Sequence, residues 1–220
     1  MNTFTHDGVT LRLGDCMEYM AGLADGAYSL CVVDPPYGIG DFSQSDAIQE
    51  VTWNDAIPQP VYFDELKRIS KRRVIWGANY YNCFEKGCGG LVWYKNIGHP
   101  QMSHCEIASV SGQQKVDFVH INWSGGIRKS QNDFCHPCQK PVSLYRFILQ
   151  NYARPGDTIL DTHLGSGSSA IAAWEMGYTF TGIEIDRDYF DAAVERIRKR
   201  MSQPYLPGIV QPKAEQASLF

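Results

Sequence analysis

The sequence predicts an α/β protein whose mostly parallel β-sheet is covered by helices on both faces. Short β-rich runs alternate along the chain with stretches whose apolar residues recur every three to four positions. The composition is typical of one globular domain, because the 220 residues are 44% hydrophobic and 20% charged. Alternating strands and helices favour parallel pairing, since parallel strands need long crossover connections that are usually helical.

Each element is predicted from a local pattern. The β-rich runs predict strands at residues 9–13, 28–33, 74–76, 91–93, 107–110, 116–122, 158–160 and 179–185. The apolar periodicity predicts helices at residues 16–23, 61–70, 142–152, 169–176 and 189–201. Between residues 85 and 139 the helical period is missing, which predicts two or three antiparallel strands with long loops.

The predicted domain spans residues 1–202, and a flexible tail follows at residues 203–220. Prolines in the tail rule out a regular helix, at Pro204, Pro207 and Pro212. Two loop-rich segments interrupt the domain, at residues 41–60 and 95–135. We expect the first of them to be mobile, because it is polar and lacks periodicity.

Charge and cysteine content exclude several classes of protein. The net charge of -4 argues against bulk electrostatic coating of nucleic acid, and ten acidic but no basic residues lie between Arg12 and Lys67. Basic residues cluster elsewhere, so a polyanion could approach only a chosen face. Seven cysteines, an odd number, suit reduced thiols in a cytoplasmic protein. No apolar run approaches the roughly 18 residues of a membrane helix, so neither secretion nor a membrane location is expected.

A glycine-rich turn follows the predicted strand at 158–160. Asp161 precedes it, Gly165 and Gly167 lie within it, and a predicted helix follows. Such a turn lets a ligand approach the backbone closely, and the helix N-terminus favours anionic groups. Glu184 comes 184 − 165 = 19 residues after the first glycine, where a carboxylate can accept two ribose hydroxyls. The spacing also fits the dinucleotide fingerprint, so an NAD enzyme is a rival, but Asp161 favours a cofactor with an ammonium group.

A second motif follows the apolar strand at 28–33. Asp34-Pro35-Pro36-Tyr37 places a carboxylate, two rigid prolines and an aromatic ring at one strand end. The Asp34 carboxylate and the Pro35 carbonyl could hold the two hydrogens of an exocyclic amine, while Tyr37 stacks on the planar base. The amine of a nucleobase is a poor nucleophile, so two fixed acceptors would help it to attack. The alternative is an ordinary strand-terminating turn.

Together these motifs resemble the S-adenosylmethionine-dependent amino-methyltransferases that methylate adenine N6 or cytosine N4 in DNA. The Asp-Pro-Pro-Tyr motif precedes the glycine turn by more than a hundred residues, and this circularly permuted order resembles the beta group of these enzymes. Further segments match, at residues 14–16, 136–141 and 182–186. Two segments depart from the family pattern, since the family usually has Asp-Pro-Phe-x-Gly-Ser-Gly where this chain has Asp-Thr-His-Leu-Gly-Ser-Gly at 161–167, and Cys138 replaces a threonine. The first departure bears on cofactor affinity.

The resemblance implies a Rossmann-like, doubly wound sheet, mostly parallel with an antiparallel hairpin, and S-adenosyl-L-methionine as the cofactor. It implies catalytic roles for Asp34, Pro35, Pro36 and Tyr37. It implies cofactor contacts from Asp15, Cys16, Asp34, Lys140, Asp161, Leu164, Gly165, Ser166, Gly167, Ser168, Glu184 and Ile185. Adenine is favoured over cytosine because cytosine enzymes of this group more often begin the tetrapeptide with serine. DNA methylation in a restriction–modification setting, in a bacterium, phage or prophage, is the expected context.

The expected substrate is double-stranded DNA, whose target base must be flipped out of the stack. The segment 41–60 would then be a loop on the catalytic side, and 95–135 an insert that reads the target. Candidate DNA contacts are Ser43, Lys95, Arg128, Lys129, Gln131 and Asn132, whose side chains suit phosphates and base edges. The alternatives are an NAD oxidoreductase, a silent DNA-binding module, and a methyltransferase acting on RNA or protein.

Three further expectations concern partners. The tail contains Gln216, Ser218, Leu219 and Phe220 in a pattern that resembles the short peptide by which many bacterial DNA enzymes bind the sliding clamp. Alternatively, its last two side chains pack on the protein itself or on a second subunit, and the chain is expected to be a monomer or a homodimer. Cys135 and Cys138 have a zinc-like spacing, but the match at 136–141 accounts for them, so no metal is expected.

Overall fold

A single nine-stranded sheet with six helices is formed by the residues that the computed structural model describes, which are 2–40, 56–96, 103–123 and 135–203. The strands are β1 (Thr3–His6), β2 (Val9–Leu13), β3 (Leu30–Val33), β4 (Arg73–Trp76), β5 (Gly89–Tyr94), β6 (Cys105–Val110), β7 (Val116–His120), β8 (Thr158–Asp161) and β9 (Thr179–Glu184). The helices are α1 (Cys16–Ala21), α2 (Pro60–Ile69), α3 (Ala78–Tyr81), α4 (Val142–Tyr152), α5 (Ser168–Glu175) and α6 (Arg187–Ser202).

The strand order is β1-β2-β9-β8-β3-β4-β6-β5-β7. The strands from β2 to β4 in this order pair in parallel, and β1 and β6 run against their neighbours. The predicted α/β class, with a mostly parallel sheet and an antiparallel hairpin, is therefore confirmed. All eight predicted strands and five predicted helices are present, within a few residues at their ends.

The segment between residues 85 and 139 differs from its prediction in one respect. Its described residues form three strands, as expected, but β7 pairs in parallel with β5. Because β6 lies between β4 and β5, the chain that leaves β6 can join only at the outer edge of β5. A turn at 111–115 reverses the chain there, so β7 is antiparallel in direction to β6 and parallel to β5.

Two hydrophobic clusters cover the two faces of the sheet. The larger one contains Leu30 and Val32 and packs against α4, α5 and α6, and the smaller one contains Cys31 and Val33 and packs against α1 and α2. Successive side chains of β3 thus alternate between two buried faces. This explains why β3 is a continuous apolar run and not an alternating one.

Helix α6 ends at Ser202, and residues 204–220 lie outside the described ranges. The predicted tail and the division of the chain at residue 202 therefore stay predictions. None of the helices in the described ranges is long and apolar enough to cross a bilayer.

Candidate active site

The candidate site lies where the strand order reverses. From β8 the chain passes through α5 to β9 on one side, and from β3 it passes through α2 to β4 on the other. Open α/β sheets bind ligands in the crevice at such a point, outside the carboxyl ends of the strands. Asp161 is the last residue of β8 and Asp34 directly follows β3, so two carboxylates lie at this crevice.

Asp34 is held from both sides. The Tyr37 hydroxyl donates a hydrogen bond of 2.6 Å to Asp34 Oδ1, and the Lys140 ammonium group pairs with Asp34 Oδ2. Tyr81 Oη donates to the carbonyl oxygens of Pro35 and Pro36, and the bond to Pro36 is 2.8 Å. Both acceptors that were predicted to grip an amine, the Asp34 carboxylate and the Pro35 carbonyl, therefore already carry partners. Since a carboxylate has about four acceptor sites and a carbonyl two, each can still accept another hydrogen.

The Tyr37 ring is positioned by α3. It stacks on Tyr80 at a centroid distance of 4.8 Å with an interplanar angle of 15°, and it meets Tyr81 edge-on. Gly77, at φ +74°, precedes α3, and a Cβ atom there would come within 2.7 Å of Tyr37 Cδ1. Only glycine lets the ring lie so close to the backbone. The Tyr80 side chain is 37% exposed, so an aromatic surface is open beside Asp34.

Two ammonium groups and two carboxylates form one cluster around Asp34. Lys140 Nζ lies 3.1 Å from Glu106 Oε2 and 3.1 Å from the Tyr37 hydroxyl, and Lys95 Nζ lies 2.9 Å from Glu106 Oε1. The side chains of Lys140 and Lys95 are almost completely buried, and those of Asp34 and Glu106 mostly so. We call Asp34, Glu106, Lys95 and Lys140 the charge cluster, and its four formal charges cancel.

The charges in the cluster shift one another. Burial raises the pKa of Asp34, Lys140 opposes this effect, and Glu106 adds to it. Burial acts in the same direction on Glu106, but Lys140 and Lys95 together bring the pKa of Glu106 below its usual value. Burial alone would lower the pKa of Lys140, but Asp34 and Glu106 raise it. Lys140 is therefore an ammonium group throughout the physiological range.

The glycine turn joins β8 to α5. Gly165 and Gly167 have φ values of +51° and +74°, which lie in the left-handed region that favours glycine. The backbone N–H of Gly165 donates to Glu184 Oε2 at 2.7 Å, and that of Asp186 donates to Glu184 Oε1 at 3.0 Å. These two bonds fix the Glu184 carboxylate beside the turn. The second lone pair of each oxygen stays available to hydroxyl donors.

Asp161 is a buried carboxylate that no cation within the described ranges contacts. Its side chain accepts from the Ser169 hydroxyl at 2.6 Å and from the His163 backbone N–H at 3.0 Å, and the residue is 1% exposed. Burial raises the pKa of Asp161 to about 7, although both hydrogen bonds oppose the shift. A buried acid without a counter-ion fits a ligand that brings an ammonium group. This is the observation on which the fit of S-adenosylmethionine to the site depends.

The other expected cofactor residues surround the same turn. Asp15 caps α1 through a 2.6 Å bond from the Met17 N–H, and the Gly14 N–H bonds to the Glu184 carbonyl, which brings the end of β2 next to β9. Cys16 begins α1, and burial raises the pKa of its thiol to about 11. Ile185 is 68% exposed, so its large apolar side chain is accessible to an aromatic base of a ligand.

The rest of the predicted set lies inside the fold. Leu164 belongs to the larger core cluster and packs against Gly182, so it anchors the glycine turn to the core. Ser166 and Ser168 are buried and bonded to each other, and Arg196 donates to the carbonyl of Ser166 and the hydroxyl of Ser168. Arg196 therefore holds the turn from α6.

Two predicted site residues lie in the charge cluster. Lys140, predicted to contact the cofactor, has its ammonium group on Asp34 and Glu106, and the cofactor contact stays a prediction. Lys95, predicted to contact DNA, has its ammonium group buried against Glu106, and the DNA contact stays a prediction. Lys95 lies there because the sheet topology brings the end of β5 next to the Asp34 corner. The remaining candidate DNA contacts lie outside the described residues, as do the clamp-like positions: Ser43, Arg128, Lys129, Gln131, Asn132, Gln216, Ser218, Leu219 and Phe220.

Sequence patterns alone missed four residues of the site: Tyr80, Tyr81, Glu106 and His163. His136, which lies in the match at 136–141, has its ring against Gly165 and edge-on to Tyr189, and burial lowers its pKa to about 4. Tyr80 and Tyr81 closely follow Gly77, and a glycine after a strand with two aromatic residues nearby is a local pattern that indicates them. Glu106 carries no local signal, since it is one acid in a short strand. Within the described ranges, no group of three or more His, Cys, Asp or Glu residues is placed to hold a metal ion.

DNA methyltransferases resemble this chain in sequence and in fold. Residues 60–195 match the N6/N4 methyltransferase family, described as DNA methylase. The chain is 31% identical over 256 aligned positions to the type II methyltransferase M.HinfI of Haemophilus influenzae, and the alignment covers 89% of this chain and 70% of that protein.

Two solved structures share the fold. The PvuII DNA methyltransferase, described as cytosine-N4-specific, has a TM-score of 0.60 at 12% identity. The aligned region covers 92% of this chain and 88% of the PvuII chain. The complex of M1.HpyAVI with S-adenosylmethionine has a TM-score of 0.57 at 19% identity. The aligned region covers 86% of this chain and 98% of the M1.HpyAVI chain. The family match covers more than half of the sequence, and this chain belongs to the DNA methylase family.

Proposed function

We propose that this chain is an S-adenosylmethionine-dependent DNA methyltransferase that methylates the N6 amine of adenine. The observation that carries the proposal is the pair of buried carboxylates at the β3–β8 crevice. Asp34 is held by Lys140 and Tyr37 in a rigid proline corner, and Asp161 lies across the crevice, where no cation of the described residues contacts it. The Asp34 carboxylate suits the target amine that reacts, and the Asp161 carboxylate suits the ammonium group that anchors the cofactor.

The residues of the glycine turn and its surroundings would hold the cofactor. Asp161 would bind the ammonium group, Glu184 the ribose hydroxyls, and Asp15 and Ile185 the adenine end. The bound cofactor supplies an electrophilic methyl group on a positively charged sulfur, which keeps the electron pair of the broken bond. No metal ion is needed in this assignment.

Asp34 and the Pro35 carbonyl would orient the target amine. Each accepts one amino hydrogen, which turns the nitrogen lone pair toward the methyl carbon. The nitrogen becomes positively charged as the new bond forms, and one of its protons passes to Asp34 or to water. A carboxylate whose pKa is raised by burial is a better acceptor for that proton than an ordinary one. The hydroxyls of Tyr37 and Tyr81 donate to these two acceptors, and the amine would displace them or share the acceptors with them.

DNA would deliver the base to the open aromatic surface. Inside a duplex the amine cannot reach Asp34, so the nucleotide must be flipped out, at a cost of a few kcal/mol of unstacking. The exposed part of the stacked pair Tyr37 and Tyr80 provides an aromatic surface on which a purine can stack, which contributes about 1–3 kcal/mol per base. Adenine is proposed over cytosine because an aspartate begins the tetrapeptide.

Tritiated methyl transfer tests this proposal. The protein is incubated with tritiated S-adenosylmethionine and unmethylated genomic DNA, and the DNA is then digested to nucleosides and separated. Label in N6-methyldeoxyadenosine is expected. Label in N4-methyldeoxycytidine would move the assignment to cytosine. Parallel reactions contain RNA or protein in place of DNA, and label in those reactions alone would exclude DNA as the substrate.

We further propose that residues 216–220 bind the sliding clamp. Leu219 and Phe220 would fill an apolar pocket, and Gln216 would make polar contacts, with an affinity of around micromolar. Fluorescence anisotropy of a labelled tail peptide with the host clamp measures this, and the Leu219→Ala/Phe220→Ala peptide is the control. Equal binding of the two peptides, or no binding at tens of micromolar, would exclude the interaction.

A further inference from the structure

Glu106 lies at the site because its strand runs in the opposite direction. β6 is antiparallel to β4 and β5, so its first residues lie at the edge where those strands end. Glu106 pairs in register with Trp93, and Lys95 follows β5 directly. A carboxylate near the start of β6 therefore meets an ammonium group just beyond the end of β5.

The Lys140 ammonium group is held at three points. Its partners are the Asp34 carboxylate, Glu106 Oε2 at 3.1 Å and the Tyr37 hydroxyl at 3.1 Å, which match the three donors of an ammonium group. The ring of Trp76 lies 5.4 Å from Lys140 Nζ and closes another side. Without Glu106, only Asp34 and Tyr37 would hold the ammonium group.

We infer that Glu106 is a positioning residue for methyl transfer, which acts through the Lys140 ammonium group to fix the carboxylate of Asp34. This inference rests on the proposed function, because it takes Asp34 as the group that receives the target amine. Glu106 Oε2 also lies 3.4 Å from the Tyr37 hydroxyl, so it constrains both neighbours of Asp34 at once. Lys95 completes the arrangement, since it neutralises the second negative charge.

Stability alone is a poor reason for this cluster. Moving charged groups out of water costs several kcal/mol each, and well-packed apolar residues of similar volume often replace a buried ionic cluster without loss. A cluster that surrounds the proposed acceptor therefore fits a role in positioning and electrostatics. Among the described residues, the charged and titratable groups that face Asp34 are Lys140, Tyr37, Glu106, Tyr81, Cys138, Tyr145 and, across the crevice, Asp161.

The proposal predicts a specific electrostatic effect. The negative charge of Glu106 raises the pKa of Asp34, so Glu106→Gln should lower the pKa of Asp34 and move the acid limb of the pH–rate profile to lower pH. The turnover number kcat should fall by about tenfold to a hundredfold, because a small displacement of the acceptor is enough for such a loss. Binding of S-adenosylhomocysteine should stay within about twofold, since the glycine turn is untouched.

Two variants separate positioning from a structural role. Glu175→Gln is the matched control, because Glu175 is also a buried carboxylate between two cations, Arg146 and Arg200, but lies outside the site. Glu175→Gln should have the same pH–rate profile as wild type. The double variant Glu106→Leu/Lys95→Met restores a neutral cluster but leaves Lys140 no acceptor at position 106, so it should remain impaired.

Kinetics and carbon NMR together decide the question. Methyl transfer to DNA is measured from pH 5 to 9 for each variant, and the Asp34 carboxyl carbon is titrated in protein labelled with ¹³C-aspartate, with Asp34→Asn for assignment. A lower Asp34 pKa in Glu106→Gln with reduced kcat is expected. An unmoved Asp34 pKa, a kcat like wild type, or recovery in the double variant would each overturn the inference. If wild-type protein methylates no DNA, the proposed function fails, while the NMR titration still tests the link between Glu106 and Asp34.

Discussion

The backbone N–H of Gly165 donates a 2.7 Å hydrogen bond to the side chain of Glu184, 19 residues later in the chain. This bond ties the glycine turn after β8 to the end of β9. One carboxylate thus shapes the turn and also keeps free lone pairs for hydroxyl groups. The turn and the proposed ribose acceptor are therefore a single unit.

Glu184→Ala should weaken the binding of S-adenosylhomocysteine by about tenfold to a hundredfold. A hydrogen bond to a charged group contributes roughly 1.5–3 kcal/mol, and the turn also loses its anchor. Isothermal titration calorimetry measures the change. Glu195→Ala, an exposed position on α6, is the control and should bind like wild type. An unchanged dissociation constant in Glu184→Ala would rule out the ribose role.

Cofactor binding should weaken as the pH falls below about 7. Burial raises the pKa of Asp161 to about 7, and only the ionised carboxylate attracts an ammonium group. Below that pH the free protein carries a proton that must leave on binding, so the dissociation constant should rise by up to about tenfold per pH unit. His136 and His163, whose pKa values burial lowers to about 4, do not titrate in this window.

Calorimetry of S-adenosylhomocysteine binding between pH 5.5 and 8 checks the role of Asp161. Asp161→Asn should bind more weakly at pH 8 and show a flatter pH dependence. If wild type and Asp161→Asn respond alike to pH, Asp161 is not the group that binds the ammonium.

Gly182→Ala should destabilise the protein by about 1–3 kcal/mol, since added atoms in a packed core force neighbours to move. A Cβ atom on Gly182 would lie 2.7 Å from Leu164 Cδ1 and 2.9 Å from Phe180 Cε1. Urea unfolding measures the loss. Gly22→Ala is the matched control, because its Cβ would meet only the Tyr19 carbonyl at 3.7 Å, and its stability should stay within about 0.5 kcal/mol.

The fold was largely predictable because its signals are local. The buried run of β3 and the periodicity of α4 and α6 depend on neighbouring residues only, and a layered α/β architecture follows from their alternation. β1 was missed, although Asp7-Gly8 between β1 and β2 has the two positive φ values of a tight hairpin turn. The parallel pairing of β7 depends on which sheet edge is free, and no local pattern encodes that.

The site was predictable where chemistry is concentrated in short motifs. Asp34 and Asp161 each follow a strand, and the shared edge of a parallel sheet brings them together. Lys140 belongs to the match at 136–141, but no local pattern indicates its partner Asp34, which is 106 residues away in the chain. Glu106 and Lys95 are ordinary residues in sequence. Only the reversed direction of β6 places Glu106 beside Lys140.

Methyl transfer by Asp34→Asn tests the central claim most directly. The variant keeps the shape of the side chain and removes its charge, while Glu106 remains to pair with Lys140. Transfer of tritiated methyl to DNA should fall by more than about a hundredfold, and calorimetry should find S-adenosylhomocysteine bound within about threefold of wild type. Transfer at a rate near that of wild type, with the cofactor bound normally, would contradict the assignment of Asp34 as the group that receives the target amine.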